Sequence, residues 1–225
     1  MTPSILCIIP ARSGSKGCPH KNIKILNGKP MMAWSIEQTL SSKHKMRVVV
    51  STDSEEYAKI ARQYGAEVPF LRPSSLSQDK SICIEFVQHA LEQLGHYDIV
   101  FHCRPTSPFR TVEQIDEAID LFLLNRDNYD SLRSVTSVDK TPYKMYRILS
   151  NNLTPLFDEV DGIEQPYNQA RQVLPKCYLH NGYIDLFNSD IVQSGTISGN
   201  RILPFIMNPT DNIDIDSFSD FQTHC

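Results

Sequence analysis

Hydrophobic positions fall into short unbroken apolar runs that alternate with longer stretches of helical period. The run at 5–9 is apolar throughout, as a strand covered on both faces requires. After a loop and a short extended connection at 23–30, Pro30-Met31-Met32 opens a predicted helix to about Leu40, with Met32, Ile36 and Leu40 on one face. A second buried strand is predicted at 47–51. Asp53 is expected to cap the next helix, with Glu56 in the capping-box position and Gly65 stopping it after Tyr64. A short strand is expected at 66–70 and a loop at 71–79, then a helix with Ile82, Phe86, Val87, Ala90 and Leu94 on one face. The run at 98–103 reads as a strand, and Thr111 with Gln114 caps a helix whose face is Val112, Ile115, Ala118, Ile119, Phe122 and Leu123.

Strand and helix thus alternate about four times. The fold class expected is α/β: a Rossmann-like, three-layer α/β/α arrangement with a mostly parallel sheet. Ligands of such sheets sit at the carboxyl ends of the strands. From about 136 to 181 the rhythm breaks into a stretch rich in Pro, Tyr, Asn and Gln, read as an excursion from the sheet. Returning strands are predicted at 182–187 and 201–207, then Asp211-Asn212-Ile213-Asp214-Ile215-Asp216 and a short terminal helix.

Composition narrows the class. The 225 residues suit one large domain, and 40% apolar with 21% charged residues is ordinary for a soluble chain. A net charge of −4 gives no support for a nucleic-acid or membrane surface, so no partner of either kind is expected. The six cysteines are scattered with no C-x-x-C pair, which argues against a zinc site or a disulfide scaffold. Cys7 and Cys103 lie in apolar runs as small buried hydrophobes, and His102 is expected to be a satisfied core residue. The N-terminus lacks a basic flank followed by a long apolar region, and no apolar run is long enough to span a membrane. A cytoplasmic, reduced protein is expected.

The first strand runs into Ile9-Pro10-Ala11-Arg12-Ser13-Gly14-Ser15-Lys16-Gly17-Cys18-Pro19-His20-Lys21-Asn22. Glycines allow backbone N–H groups close to an anion, and Arg12, Lys16 and Lys21 add charge that phosphate oxygens use. Loops of this composition are otherwise solvated connections. The loop is neither a Walker A nor a G-x-G-x-x-G motif. At the other end of the chain, Asp214 and Asp216 flank Ile215. In a strand, i and i+2 share a face, so the two carboxylates would converge as hard oxygen ligands for Mg²⁺; a surface turn is the other reading.

The first loop resembles the opening signature of the acylneuraminate (sialic-acid-type) cytidylyltransferases, I-P-A-R-x-G-S-K-G-x-P-x-K-N, at every fixed position. Four further segments follow in the family's order. These are Arg72-Pro73 with Leu76 to Ser81; Pro105-Thr106-Ser107-Pro108; Arg171-Gln172 through Pro175, Tyr178, Asn181 and Gly182; and Asp214-Ile215-Asp216. The resemblance implies that Arg12, Gly14, Ser15, Lys16 and Lys21 hold the triphosphate of CTP, with Asn22 near its sugar and Arg72 and Ser81 at its cytidine end. It implies a metal pair at Asp214 and Asp216, holding Mg²⁺. For the acidic sugar it implies Arg104, Thr106, Ser107, Lys144, Arg171, Gln172, Tyr178 and Asn181. Arg12, Lys21, Arg171 and Asp216 form the expected catalytic set.

Two positions depart from the family's pattern. Arg104 stands where Gln usually precedes P-T-S-P, and Asp185 where N-G-x-x-Y usually has Tyr. A guanidinium is a permanent cation with a planar donor fork, so Arg104 is expected either to grip the sugar's carboxylate more directly or to read a different acyl pattern. The expected reaction transfers CMP from CTP to the anomeric hydroxyl of a sialic-acid-like nonulosonic acid. The chain is expected to be one cytidylyltransferase domain over 1–225, with 136–182 an inserted arm that makes a homodimer and reaches substrate. Alternatives are an octulosonate (KDO-type) cytidylyltransferase, whose first loop lacks the S-K-G-x-P-x-K-N order, and a non-catalytic nucleotide-binding protein on the same fold.

Overall fold

The computed structural model describes residues 2–15, 17–211 and 213–224, and Lys16 lies outside the described residues. In chain order the elements are β1 (Ile5–Pro10), the two-residue strands β2 (Ile25–Leu26) and β3 (Lys29–Pro30), α1 (Met31–Leu40), β4 (Arg47–Ser51), α2 (Glu55–Gln63), α3 (Cys83–Leu94), β5 (Ile99–His102) and α4 (Val112–Asn125). Then come β6 (Ser131–Ser137), β7 (Tyr146–Leu149), β8 (Asn152–Pro155), β9 (Glu159–Val160), β10 (Ile163–Glu164), β11 (Tyr178–Asn188), β12 (Ile202–Met207) and α5 (Phe218–His224). The main sheet has the order β12-β6-β11-β5-β1-β4. β1 pairs parallel with β4 and β5, and β12 parallel with β6, whereas β11 runs antiparallel to both its neighbours. The sheet is therefore mixed but mostly parallel. β11 follows the excursion rather than a crossover helix, so it re-enters from the opposite end.

The unbroken apolar runs have the cause expected of them. Along β1, Ile5, Cys7 and Ile9 turn to one face and pack with Met32 and Ile36 of α1, Tyr57, Ala58 and Ala61 of α2, and Ile115 and Phe122 of α4. Leu6 and Ile8 turn to the other face, against Phe86, Val87 and Ala90 of α3. Successive residues alternate across a strand, so a strand between two helical layers must be apolar at every position. Each such side chain taken fully from water contributes about 1.5–3 kcal/mol.

Several local expectations give way. The N-cap of α2 is Ser54, whose hydroxyl accepts from the Tyr57 N–H; Asp53 instead accepts from the backbone and hydroxyl of Ser13 at 2.8 Å each. Ile82 precedes α3 and is 60% exposed, because Glu85 turns back to accept from its N–H there. The stretch at 66–70 makes one bridge, Glu67 to Val49, and no strand. β6 escaped the pattern because its buried positions include Ser131, Ser134 and Thr136. β11 begins at Tyr178, inside the expected excursion. Between β6 and β11 the chain forms the antiparallel pairs β7/β8 and β9/β10, with most side chains exposed. Asp214 to Asp216 lies in no strand.

Candidate active site

A cleft of about 410 Å³ opens at the carboxyl ends of β1 and β5. It collects Arg12, Ser15, Lys21 and Asn22 from the first loop, Arg72 and Ser81 from the segment before α3, Arg104 and Thr106 after β5, and Asp216 from the far end of the chain.

Packing holds the two ends of the sequence together. Cys18 of the first loop shares a buried cluster with Leu26, Met31, Ile215 and Phe221. Gly17 passes so close that a Cβ there would stand 3.2 Å from the Asp216 carbonyl oxygen. The Ile215 N–H donates to the Thr106 carbonyl at 2.7 Å, and the Tyr183 hydroxyl both accepts from the Ile213 N–H at 2.9 Å and donates to its carbonyl at 3.1 Å. Asp220 accepts from the N–H groups of Asp216 and Ser217. Ile215 is thereby fully buried, with Asp214 and Asp216 on its flanks open to solvent. The proximity of the two carboxyls expected from a strand is produced by a segment outside any strand, pinned at three points.

Lys21 Nζ donates to Asp216 Oδ1 at 2.6 Å. Partial burial pushes the Asp214 carboxyl up, a bond with the Thr106 side chain pulls it down, and the charge of Asp216 beside it pushes up again. Two neighbouring carboxyls, one already bonded to an ammonium, form a donor set that suits a hard divalent cation. Among the described residues no group of three or more His, Cys, Asp or Glu is placed to hold a metal. Asp214 and Asp216 would leave further positions on an ion to water and phosphate oxygens, as Mg²⁺ commonly requires.

The basic side chains are fixed differently. Arg12 donates to Asp79 at 2.9 Å and tethers the first loop to the segment before α3. Asn22 is buried and donates to the Arg12 carbonyl at 3.1 Å, so it shapes the loop from beneath. Arg72 is buried, donates to the Ser51 carbonyl and lies 5.1 Å over the Phe86 ring. Burial pulls its guanidinium down to about 10, which leaves it charged at neutral pH. Ser81 accepts from the Gln78 N–H and donates to the Ser75 carbonyl.

Other expected site residues lie outside the cleft lining. Gly14 borders an adjoining groove with Arg12 and Asp53. The Ser107 side chain is buried beneath the proline turn. Asn181 is consumed by β-sheet contacts: its Oδ1 accepts from Ser134 and from the Tyr183 N–H, and its Nδ2 donates to Met207 Sδ. Lys144 and Gln172 are exposed on the arm. Arg171 and Tyr178 border a separate groove of about 300 Å³ with Asp139, which stands 3.8 Å from Arg171.

The sugar-side wall contains groups that motif reading passed over. Arg110 is fully buried and donates to the carbonyls of Tyr183 and Arg104, at 2.8 and 2.6 Å, and to Cys103 Sγ and Ser35. It locks the turn after β5 to β11. Its place at the end of Pro105-Thr106-Ser107-Pro108-Phe109-Arg110 was the available signal. Arg104 Nη1 sits 2.8 Å from Oδ2 of the buried Asp185, and His180 Nε2 is 2.7 Å from its Oδ1. His102 is buried, but its Nδ1 has no hydrogen-bond partner and stands 4.0 Å from Asp185. It is thus not the satisfied core histidine expected.

With this geometry in place, comparison with known proteins assigns the chain. It is 37% identical over 223 residues to the N-acylneuraminate cytidylyltransferase of Escherichia coli O18:K1:H7, an alignment that takes in 99% of this chain and 51% of that protein. It therefore spans about half the length of that relative. It is 34% identical to the post-translational flagellin modification protein B of Campylobacter coli, over 97% of this chain and 92% of that one. With the pseudaminic acid cytidylyltransferase of Campylobacter jejuni it shares 36% identity, over 77% and 73% of the two chains. In fold it resembles a CMP:2-keto-3-deoxy-manno-octonic acid synthetase solved with CTP, at a TM-score of 0.71 and 14% identity over 98% of this chain and 96% of that one. The profile described as Cytidylyltransferase matches residues 6–174, and the chain belongs to that family.

Proposed function

We propose that this chain transfers CMP from CTP to the anomeric hydroxyl of a sialic-acid-like nonulosonic acid. One observation carries the reading: a single cleft joins a basic, glycine-containing loop to Asp216 from the far end of the chain, and the Asp214 carboxyl, outside the cleft lining, stands beside that of Asp216. The sugar hydroxyl oxygen bonds to the α-phosphorus, the α–β P–O bond breaks, and pyrophosphate leaves with the electron pair. The hydroxyl proton passes to a base. In such a transfer most of the catalysis is positioning and neutralisation of charge.

Asp214 and Asp216 would hold Mg²⁺, which supplies Lewis-acid neutralisation and alignment of phosphate oxygens when bound. Lys21 and Arg12 face the same cleft and carry phosphate charge. Arg72 and Ser81 take the cytidine end. Lys144 and Arg171 belong to the sugar's side, supplied across a homodimer. In support, the hairpin β7/β8 exposes Ile148 at 73% and Leu153 at 69%, beside Met145, Tyr146 and Leu149. An exposed apolar strip of this kind marks an interaction surface. The cytoplasm, where CTP is made, is the compartment that fits. Among the described residues no helix is long and apolar enough to cross a membrane, and five cysteines are free. The octulosonate alternative has a likeness of fold behind it, at 14% identity.

The test is pyrophosphate release from CTP and Mg²⁺ with a panel of nonulosonic acids and the octulosonate. Release with a nonulosonic acid is expected. CTP binding without release for any sugar overturns the reading, and release with the octulosonate alone replaces it.

A further inference from the structure

Asp185 is 3% exposed and surrounded by bases. A regular strand would not assemble this group. His180 and Asp185 are five residues apart and would point to opposite faces. The pairing with β6 slips between them: β11 advances from His180 to Asp185 while β6 moves only from Val135 to Arg133. The extra residues form a bulge that restores a shared face. Gly182 lies in this bulge with φ +70°, and the Ser134 hydroxyl accepts from the Ile184 N–H there. A Cβ on Gly182 would overlap Arg104 Nη1, so the bulge leaves a slot into which the guanidinium lies. Arg110 holds the Arg104 carbonyl from behind.

Arg104 therefore reaches the cleft with its counter-charge built in. The Nη1–Oδ2 contact at 2.8 Å is one of charge, without an aligned N–H, and neither atom has a hydrogen-bond partner. The Arg104 side chain keeps a quarter of its surface exposed and lines the cleft. Burial pushes the Asp185 carboxyl up, but the bond to His180 and the charges of Arg104 and His102 outweigh it and hold the group at about 2. The Asp185 carboxylate thus sets a negative charge against the permanent cation of the guanidinium.

We propose that Asp185 is a positioning residue that orients Arg104 and cancels its charge, so that the guanidinium reads a neutral oxygen acceptor on the sugar. Such an acceptor is an acyl carbonyl or a hydroxyl. The sugar's carboxylate is then left to other cations. This rests on the transfer reaction proposed above. It also gives Arg104 and Asp185, the two departures in the sequence, a single physical cause: each requires the other.

The test compares wild type, Arg104→Gln, Asp185→Asn and the double variant, with steady-state KM and kcat for CTP and for nonulosonic acids that differ in their acyl groups. Asp185→Asn should raise the sugar KM about tenfold and leave the CTP KM within about twofold. Arg104→Gln should change the ranking of the sugars, since all of them carry the carboxylate and only the acyl pattern differs. The double variant should match Arg104→Gln, because Asp185 acts only through Arg104. That last comparison stands even if Asp185→Asn alone fails to fold. A double variant with a sugar KM several-fold above that of Arg104→Gln overturns the proposal. So does an Arg104→Gln penalty equal for every sugar. If wild type turns over none of the sugars, the proposed function falls and this inference with it; if wild type turns over, an additive cycle removes the inference alone.

Discussion

The first loop and the arm between β6 and β11 are built on opposite plans. The loop is held from every side: Cys18 in a buried cluster, Ser13 on Asp53, Arg12 on Asp79, Lys21 on Asp216. The Lys21 side chain keeps 12% of its surface. The arm carries equally functional-looking residues with little beneath them. Arg171 is 62% exposed, and the paired hairpin residues Ile148 and Leu153 stand in solvent. A preorganised site loses little entropy when its ligand arrives, whereas loosely held cations must be ordered first. On the proposed function, the residues assigned to the nucleotide are thus held within one chain, and the arm residues assigned to the sugar are not.

The largest effect should come from the nucleotide half. Asp216→Ala removes the carboxylate that lines the cleft, and frees Lys21. Turnover should fall at least about 10²–10³-fold, the scale of losing one electrostatic contributor to a transition state. CTP affinity measured without Mg²⁺ should hold or improve, since a negative charge has left the phosphate side. Unchanged kcat would remove Asp216 from the proposed metal pair and end the claim that this half is ready-made.

The arm should respond in the other coordinate. Ile148→Asp with Leu153→Asp places two carboxylates on a cross-strand pair that has no buried partner within the chain. The fold should survive, because neither side chain contributes to the core. The affinity of the proposed dimer should weaken by about 2 kcal/mol or more per anchor, roughly thirtyfold each. Light scattering across a dilution series reads this directly. Sugar KM should rise as the dimer is lost while CTP affinity holds. A wild type that is fully active as a monomer would show that Lys144 and Arg171 reach the cleft without a second copy, or do not act at all.

The same contrast explains what could be read in advance. The alternation of apolar runs and helical faces carried the layers and the strand ends, because burial on two faces leaves β1 without a polar position and confines those of β4 and β5 to their ends, at Arg47, Ser51 and His102. The first loop was legible because anion binding constrains a contiguous stretch. β6 was not, since its buried positions are Ser and Thr that bond to the backbone of neighbours: Ser131 donates to the Ser198 carbonyl and Ser134 accepts from the Ile184 N–H. Asp53 looked like a helix cap because Asp before a helix usually is one; a neighbouring Ser54 took that role, and the carboxylate bound the first loop forty residues back. The Arg104–Asp185 contact depends on a slip in register, which no local spacing encodes.

A smaller effect tests whether the floor between the two halves is as dry as its packing implies. His102 ends β5, 1% exposed, with Phe86 of α3 edge-on at 5.3 Å and Asp185 of β11 at 4.0 Å. Burial, then the charges of Arg104, Arg110 and Arg133, push its imidazole down to about 3 against the pull of Asp185. An unfolded histidine titrates near 6.5, so between about pH 6.5 and 3 the unfolded chain holds a proton that the folded one refuses. Stability must then fall as pH falls through that window, by up to about 1.4 kcal/mol per pH unit from this group alone. Above pH 7 both states are neutral and the contribution vanishes. Urea unfolding at pH 7.5 and 5.5 should show the loss in wild type and a shallower one in His102→Asn. Asp185 does not confuse the comparison, because its carboxyl, held at about 2, stays ionised at both pH values. Equal slopes for the two proteins would mean that His102 takes up its proton while folded. Water would then reach the floor beneath Arg104, and the sugar half would be more open than its burial suggests.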